Sequence, residues 1–243
     1  MATSGSAGPV KRGMLAVVGT GISTIGQMTI EAIAWIANAD KVLYIVGDPV
    51  AETLIQHLNP DGAESLDHFY AVGKPRVTTY NEMIERILEC VREGNRTCLA
   101  CYGHPGVFVY PSHESVRRAR AEGYEARMYP GISSEDCMFA DLGFDPGASG
   151  CQSFEATDFL VNRRQIDPRC AVVLWQIGVL GDVTFKQGAY DTSAMPLLVE
   201  RLQSIYPPMH VVYLYEAPMV VGGQPIIIPV ALSWLGAVPM SPG

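Results

Sequence analysis

The stretch TCLACYGHPG, Thr97 to Gly106, decides the fold. Its apolar run, Cys98 to Cys101, predicts a short buried strand. In the turn that follows, Tyr102 to Gly106, two glycines allow close backbone approach and a proline stiffens the chain. Ligands of open α/β sheets bind at the carboxyl ends of strands, so this turn is a candidate ligand site. An ordinary strand-to-loop turn with a surface histidine remains the alternative.

Composition restricts the possible classes of protein. The chain has 243 residues, of which 48% are apolar and 17% charged, enough for one large or two small folded domains. The net charge of -8 disfavours nucleic acid and anionic membranes as partners. The apolar runs are too short to span a membrane, and the N-terminus lacks a signal-peptide core. We therefore expect a cytoplasmic protein without a membrane partner.

Strands and helices alternate along the chain, which predicts an α/β fold with a mainly parallel N-terminal sheet. We expect a disordered tail at 1–12, an N-terminal α/β domain at 13–167 that carries the ligand turn, and a shorter α/β domain at 168–243. The boundary is placed near Arg164 to Cys170, before a strongly apolar strand predicted from Ala171 to Gln176.

The first strand, Met14 to Val18, is followed by Gly19-Thr20-Gly21. Strand, Gly-x-Gly and helix together favour a dinucleotide site, but the third glycine of that pattern should stand at Thr24, so the spacing does not fit. Two glycines at a strand end still indicate a close turn beside a ligand. The apolar face of the next helix is predicted to consist of Met28, Ile30, Ile33, Ala34 and Ala37.

Asn59 to Arg76 is predicted as a long irregular segment, and its aromatic residues and arginine favour a functional loop over disorder. A helix follows, capped by Gly94. Its apolar face is predicted from helical spacing to comprise Met83, Ile84, Ile87, Leu88 and Val91.

Other polar patterns have ordinary explanations. Cys98 and Cys101 form a single CxxC pair, for which buried reduced thiols are favoured over a metal or redox site, and we predict no metal. Arg117, Arg118 and Arg120 are interpreted as a solvated face rather than a phosphate site. The stretch from Ser133 to Asp136 resembles a helix capping box, although its free amides could also face a ligand.

Three longer motifs carry a resemblance: VVGTGI at Val17–Ile22, YGHPGVFV at Tyr102–Val109 and PGISSEDCMFADLG at Pro130–Gly143. They are similar to the tetrapyrrole-methylase-type methyltransferases. Within that group the chain resembles the fungal borosin precursors, which N-methylate the backbone of their own C-terminal peptide. The likeness runs from about Met14 to Pro218 and implies a two-domain tetrapyrrole-methylase-like fold with a shortened second domain.

The resemblance implies roles for individual residues. Arg76, Tyr80 and Tyr102 match catalytic positions, and Tyr70 matches an aromatic residue that lines the peptide site. The positions that match contacts to the cofactor, S-adenosyl-L-methionine, are Tyr102, His104, Val107, Phe108, Ser134, Gln176 and Glu216. The implied partners are a peptide substrate, from the chain's own C-terminus or a separate chain, and a second copy in a homodimer.

Four positions depart from the family pattern. Asp67 replaces a tyrosine, which leaves that peptide contact open. Glu216 replaces a small residue, where a backbone contact could survive although the side chain would crowd the cofactor. Gln224 and Pro225 stand where a serine and a threonine contact the cofactor. Compared with the family pattern, we expect a helix to be missing after Pro218, and neither the dimerisation clasp nor the substrate peptide is recognised before Gly243.

The implied chemistry suits these residue types. A sulfonium methyl group is already activated, but an amide nitrogen becomes nucleophilic only as its proton leaves. A tyrosinate is a suitable base, and an adjacent guanidinium favours the phenolate. We expect Arg76 to do this for either Tyr80 or Tyr102, while the other tyrosine stabilises the developing imidate oxygen.

Several alternatives stay open. The segment Val220–Pro239 is interpreted as the last strand of a shortened sheet rather than as a methylated peptide. Besides peptide N-methylation, the sequence is compatible with a methylase for a tetrapyrrole-like small molecule, and with a truncated, inactive interaction domain.

Overall fold

The structure is a computed structural model that describes residues 13–186, 188 and 191–240. The predicted tail, 1–12, lies outside the described residues. The described residues divide into two compact units. The first unit contains 13–69, 77–133 and 219–221; the second contains 70–76, 134–186, 188, 191–218 and 222–240.

A five-stranded parallel sheet forms the centre of the first unit. Its strands are β1 (Met14–Gly19), β2 (Lys41–Ile45), β3 (Ala63–Ser65), β4 (Arg96–Cys101) and β5 (Glu125–Met128), in the order β3-β2-β4-β1-β5. The helices are α1 (Thr24–Gln27), α2 (Ile30–Asn38), α3 (Pro49–Leu58), α4 (Arg76–Arg92) and α5 (Tyr110–Ala121), with a short 3-10 helix at Asp67–Phe69. This arrangement confirms the predicted α/β class and the parallel N-terminal sheet.

The central strands are buried because helices cover both faces of a parallel sheet. From Leu15 to Val18 and from Cys98 to Ala100, every side chain is fully buried. Burial of one such aliphatic side chain stabilises the fold by about 1.5–3 kcal/mol. Burial also raises the pKa of the Cys101 thiol to about 12. The six cysteines are free thiols, and among the described residues no His, Cys, Asp or Glu side chains cluster as metal ligands.

Helical spacing correctly predicts the buried face of α4. The buried residues include all five expected ones: Met83, Ile84, Ile87, Leu88 and Val91. Gly94 has a φ of 91° and donates its N–H to the Val91 carbonyl, as expected of a residue just past a helix end.

The predicted apolar face of the helix after β1 is wrong. Helix α2 buries Ala32 and Ile36, while Ile30 is 87% exposed and Ile33 37% exposed. The side chain of Thr29 accepts a hydrogen bond from the Ala32 N–H and caps the helix at that point. Apolar residues occur on every side of this helix, so their spacing does not determine which side faces the sheet.

The segment Asn59 to Arg76 is more regular than predicted. It contains β3 and the 3-10 helix at Asp67–Phe69. Strand β3 has the sequence AES and lacks an apolar alternation, so its pairing with β2 could not be predicted. An ion pair assists that pairing: Arg86 of α4 donates two hydrogen bonds to Glu64 of β3, at 2.8 and 2.6 Å.

The second unit contains two separate two-stranded sheets. Its helices are α6 (Ser134–Leu142), α7 (Pro146–Ser149), α8 (Ala156–Val161) and α9 (Met195–Gln203), with 3-10 helices at Ile177–Val179 and Leu232–Ala237. Strands β6 (Cys151–Glu155) and β7 (Ala171–Trp175) are parallel, whereas β8 (Val211–Glu216) and β9 (Ile226–Ala231) are antiparallel. A core that includes Phe159, Leu198 and Leu232 lies between its helices and strands.

Two intervals flagged in the sequence lie in this unit, except for residues 220–221, which belong to the first. Arg164 to Cys170, where a domain boundary is predicted, falls between β6 and β7, which pair in one sheet. Within Val220–Pro239, the strand interpretation is confirmed over Ile226–Ala231, which forms β9. Across the described residues, no helix combines the length and hydropathy that a membrane crossing requires.

Candidate functional site

The turn after β4 lies between the turns that follow β1 and β2. The Tyr102 N–H donates to the Ile45 carbonyl at 2.9 Å. Gly103 and Gly21 exchange two backbone hydrogen bonds, at 3.0 and 3.3 Å. Three strand ends therefore meet at one edge of the sheet, the edge where ligands of parallel sheets bind.

Close backbone contact at this edge requires glycine. A Cβ atom on Gly19 would lie 2.2 Å from the Gly103 carbonyl oxygen, a distance that no side chain tolerates. Gly103 itself has a φ of 67°, in the left-handed region that glycine adopts at little cost. The Gly-x-Gly pattern after β1 thus serves to pack the first turn against the Tyr102–Gly106 turn.

Gln27 braces the first turn, a role that the sequence analysis missed. Its side-chain carbonyl accepts the backbone N–H groups of Ile22 at 2.8 Å and Ser23 at 3.0 Å. The Thr24 hydroxyl donates to Asp48 at 3.2 Å and links this turn to the one after β2. A glutamine three residues past a loop gives no distinctive sequence signal, so only the tertiary contacts identify it.

His104 is held in one tautomer by the turn that contains it. The Gly106 N–H donates to His104 Nδ1 at 2.8 Å, so Nδ1 accepts and the neutral ring carries its proton on Nε2. The ring is half-buried. The turn therefore presents one N–H donor whose orientation is set by the backbone.

Phe108 has a strained backbone. Its φ is 55°, an uncommon value for a bulky residue, and its side chain is 49% exposed. Among the described non-glycine residues, φ is positive at Phe108, Arg163 and Gln176. Two of these three match expected cofactor positions, Phe108 in the first unit and Gln176 in the second. Strained residues concentrate at ligand sites, where other contacts offset the cost of about 1–3 kcal/mol each.

Tyr102, the first residue of the turn, lies next to the backbone of Gly47. A Cβ atom on Gly47 would lie 3.6 Å from the Tyr102 ring and 3.4 Å from the methyl group of Met219. Tyr102 is half-buried, as are His104 and Val107. The four cofactor positions that match in the first unit thus occupy one continuous segment, Tyr102 to Phe108.

Arg76 and Tyr80 lie at the start of α4, one helical turn apart. Residues at this spacing project from the same side of a helix. The Tyr80 ring lies 6.3 Å from the Tyr110 ring, between centroids. Arg76, which belongs to the second unit, donates its backbone N–H to the Val183 carbonyl at 2.9 Å.

The segment 70–76 is ordered by hydrogen bonds within the second unit. Gly73 donates to the Phe185 carbonyl at 2.9 Å, and Phe185 donates to the Lys74 carbonyl at 3.0 Å. The Tyr70 ring packs 4.7 Å from the Phe185 ring. Phe185 and Tyr70 are more than a hundred residues apart, so their contact could not be predicted from the sequence.

The other matched positions are at element ends of the second unit. Ser134 is the first residue of α6, Gln176 directly follows β7, and Glu216 is the last residue of β8. Glu216 pairs with Ile226 across the hairpin. The capping role expected of Ser133 and Asp136 stays a prediction.

The three arginines of α5 are engaged with the protein itself. Arg117 and Arg118 both donate to Glu114 and hold the pKa of that carboxyl down at about 2. Arg120 donates to the Ala126 carbonyl at 2.8 Å. These contacts agree with a structural role on the helix surface.

Comparison with known proteins adds independent evidence. The family model of the Tetrapyrrole (Corrin/Porphyrin) Methylases matches residues 14–220. The methyltransferase/ribosomally synthesized cyclic peptide dendrothelin A precursor of Dendrothele bispora is 45% identical over 216 residues, which are 89% of this chain and 52% of the relative. The corresponding omphalotin A precursor of Omphalotus olearius is 43% identical with the same coverage. The chain spans about half the length of these relatives.

Two solved structures share the fold. The uroporphyrin-III-C-methyltransferase of Thermus thermophilus has a TM-score of 0.63 at 20% identity, covering 92% of this chain and 85% of that one. Cobalt precorrin-4 methyltransferase has a TM-score of 0.65 at 16% identity, covering 96% and 91%. With the family match and the motifs around the Tyr102 turn, these likenesses confirm the resemblance: the chain belongs to the tetrapyrrole methylase family.

Proposed function

We propose that this chain is an S-adenosylmethionine-dependent methyltransferase whose acceptor is a backbone amide of a peptide. Family membership supports methyl transfer in general. Identity above 40% to precursors that combine a methyltransferase with a ribosomally synthesized cyclic peptide supports a peptide acceptor. The single observation that carries the proposal is the Tyr102–Phe108 segment, which combines a backbone-oriented histidine with a strained, exposed phenylalanine.

This segment fits the cofactor chemically. Two glycines bring its backbone against the first turn, and His104 offers one oriented N–H. Exposed Phe108 offers an apolar surface of the kind that an adenine ring requires. When bound, the cofactor supplies an activated methyl group on a sulfonium. We infer that Tyr102, His104, Val107 and Phe108 of the first unit contact it. In the second unit, Ser134, Gln176 and Glu216 are proposed as cofactor residues from the resemblance.

The protein's task is then to activate the amide. We infer that a phenolate of Tyr80 or Tyr102 accepts the amide proton and that the guanidinium of Arg76 stabilises this phenolate. The second tyrosine donates to the carbonyl oxygen as negative charge develops there. Tyr70 is assigned to the peptide site, where its ring, packed on Phe185, offers a flat apolar contact.

Binding and acceptor class can be tested in sequence. Calorimetric titration with S-adenosylmethionine is expected to show saturable binding. The chain is then incubated with cofactor and either the linear peptide of omphalotin A or a uroporphyrin III-type tetrapyrrole, and the products are weighed by mass spectrometry. Methylation of the peptide backbone, located by fragmentation, supports the proposal.

Two variants test the assigned roles. Tyr80→Phe and Arg76→Ala are each expected to lower the transfer rate by about 10²–10⁴-fold, the range for loss of general acid–base catalysis. Arg76→Lys serves as the matched control, because it keeps the charge but loses the planar fork. Unchanged rates in both test variants would remove the catalytic assignment.

A tetrapyrrole-like acceptor is the second candidate function. It is favoured by the family description and by the two solved structures with this fold. Transfer to the tetrapyrrole and not to the peptide would establish it. Absence of cofactor binding would instead favour an inactive interaction domain.

A further inference from the structure

Tyr110 connects the Tyr102–Phe108 segment with the start of α4. It is the first residue of α5 and follows the Tyr102–Phe108 segment after one residue. Its ring lies 6.3 Å from the Tyr80 ring with an interplanar angle of 35°, a tilted arrangement that is favourable for aromatic pairs. Tyr110 is 46% exposed, so hydrophobic burial alone does not explain its placement.

The first turn of α5 is bonded back onto the turn that precedes it. The Ser112 hydroxyl lies within hydrogen-bonding distance of the carbonyls of Pro105 and Val109. The His113 ring donates from Nε2 to the Gly106 carbonyl at 2.9 Å. Tyr110 therefore belongs to the same hydrogen-bonded body as His104 and Gly106.

A second set of contacts joins α5 to α4 beyond the tyrosine pair. Arg118 of α5 donates to Glu85 at 2.7 Å and to Asn81, the residue after Tyr80, at 3.3 Å. It also donates to Glu114 at 2.7 Å, whose side chain is only 14% exposed. A single exposed ion pair contributes little, but a shared network of this kind restricts the spacing of the two helices.

We propose that Tyr110 is a positioning residue that holds the ring of Tyr80 and ties it to the Tyr102–Phe108 turn. The inference rests on the proposed function. A base must meet its amide proton in a narrow geometry, and a misplacement of 1 Å can cost about 10²-fold in rate. The ring of Tyr110 restricts Tyr80 from the side of α5, so Tyr80 keeps its position relative to the cofactor turn, whether it accepts the amide proton or donates to the carbonyl oxygen.

The test is steady-state methyl transfer with S-adenosylmethionine and the linear omphalotin A peptide. Tyr110→Leu removes the ring, and we expect kcat to fall about 10-fold while KM for the cofactor stays the same. Tyr110→Phe keeps the ring and is expected to restore the wild-type rate. Tyr124→Leu, three residues beyond the C-terminal end of α5, is the matched control and should leave kcat unchanged. Tyr110→Met, an unbranched replacement, repeats the measurement if Tyr110→Leu does not fold.

A double variant separates positioning from a general structural effect. In a Tyr80→Phe background, Tyr110→Leu should change kcat by less than about twofold, because the residue that it positions no longer acts. The inference would be overturned if Tyr110→Leu kept the wild-type kcat. It would also be overturned if Tyr110→Leu lowered kcat by the same factor in the wild type and in the Tyr80→Phe background. If the wild type itself transfers no methyl group, the proposed function fails instead. If the wild type is active and Tyr80→Phe has no effect, the role of Tyr80 fails, and this inference fails with it.

Discussion

The two units of this chain are built with different degrees of burial. In the first unit, the central strands β1 and β4 are covered on both faces, and Leu15 to Val18 are completely buried. In the second unit, no residue of the four strands reaches full burial, and the strands form two separate pairs. The turn expected to hold the cofactor therefore extends from the better packed sheet, which suits a site that needs fixed geometry.

Truncation of matched leucines tests this difference most strongly. Leu99 on β4 is fully buried, whereas Leu174 on β7 is half-buried. Leu99→Ala is expected to lower the free energy of unfolding by about 4 kcal/mol, and Leu174→Ala by about 1–2 kcal/mol. Urea unfolding, followed by hydrogen exchange at the amides of β4 and β7, would measure both effects. Equal losses would show that the units do not differ in packing.

A glycine pair sharpens the comparison within the first unit. Gly19→Ala places a Cβ atom against the Gly103 carbonyl. We expect this variant to lower the free energy of unfolding by about 3 kcal/mol and to lose cofactor binding. In Gly26→Ala the new atom meets nothing closer than 3.8 Å, so this variant should be neutral or slightly stabilising on α1. Thermal unfolding of the two variants, compared with the wild type, measures both effects. A stable, cofactor-binding Gly19→Ala protein would mean that the turns are not packed as described.

The edge strand β3 is the weakly specified part of the first unit, and an ion pair supports it. Hydrogen bonds from Arg86 lower the pKa of Glu64 below its ordinary value of 4.5. Since the folded-state pKa is depressed, the stabilisation is present above pH 4.5 and is lost as pH falls through the lowered value. Glu64→Gln should cost about 1 kcal/mol at pH 7.

That difference should shrink in acid, as the pH falls through the lowered pKa of Glu64 and the wild-type carboxyl becomes protonated. Urea midpoints at pH 7 and along an acid series provide the measurement, with Glu125→Gln on the exposed surface of β5 as control. A difference that is independent of pH would exclude the ionised pair as its source.

The smallest expected effect concerns α2. Ile30 is 87% exposed, so Ile30→Ser should change the free energy of unfolding by no more than about 0.5 kcal/mol. Ile36 is fully buried, and Ile36→Ala should cost about 3 kcal/mol. A large loss of unfolding free energy in Ile30→Ser would instead support the buried face that helical spacing predicted.

The sequence was most informative where one side of an element is polar. Helix α4 has charged residues opposite its apolar face, so spacing alone identified Met83 to Val91 as its buried side. Helix α2 has only Glu31 and Asn38 as polar residues, and spacing selected the wrong side. Strand β3 carries no apolar pattern, and its pairing depends on contacts with β2 and Arg86.

The candidate site also has features that the sequence predicts and features that it does not. The glycines and proline of the Tyr102–Gly106 turn, and the family motifs around it, could be identified from sequence. The brace by Gln27, the strain at Phe108 and the contact between Tyr80 and Tyr110 arise from tertiary packing across many residues. Such contacts leave no local pattern in a single sequence.

The proposal that the Tyr102–Phe108 turn holds a sulfonium cofactor is tested most directly by calorimetric titration with S-adenosylmethionine. The wild type should bind one equivalent, and His104→Ala should bind at least about 10-fold more weakly, because the oriented N–H donor is lost. His57→Ala, on the exposed surface of α3, should bind like the wild type. No heat of binding in the wild type, or equal affinity in all three proteins, would contradict the proposal.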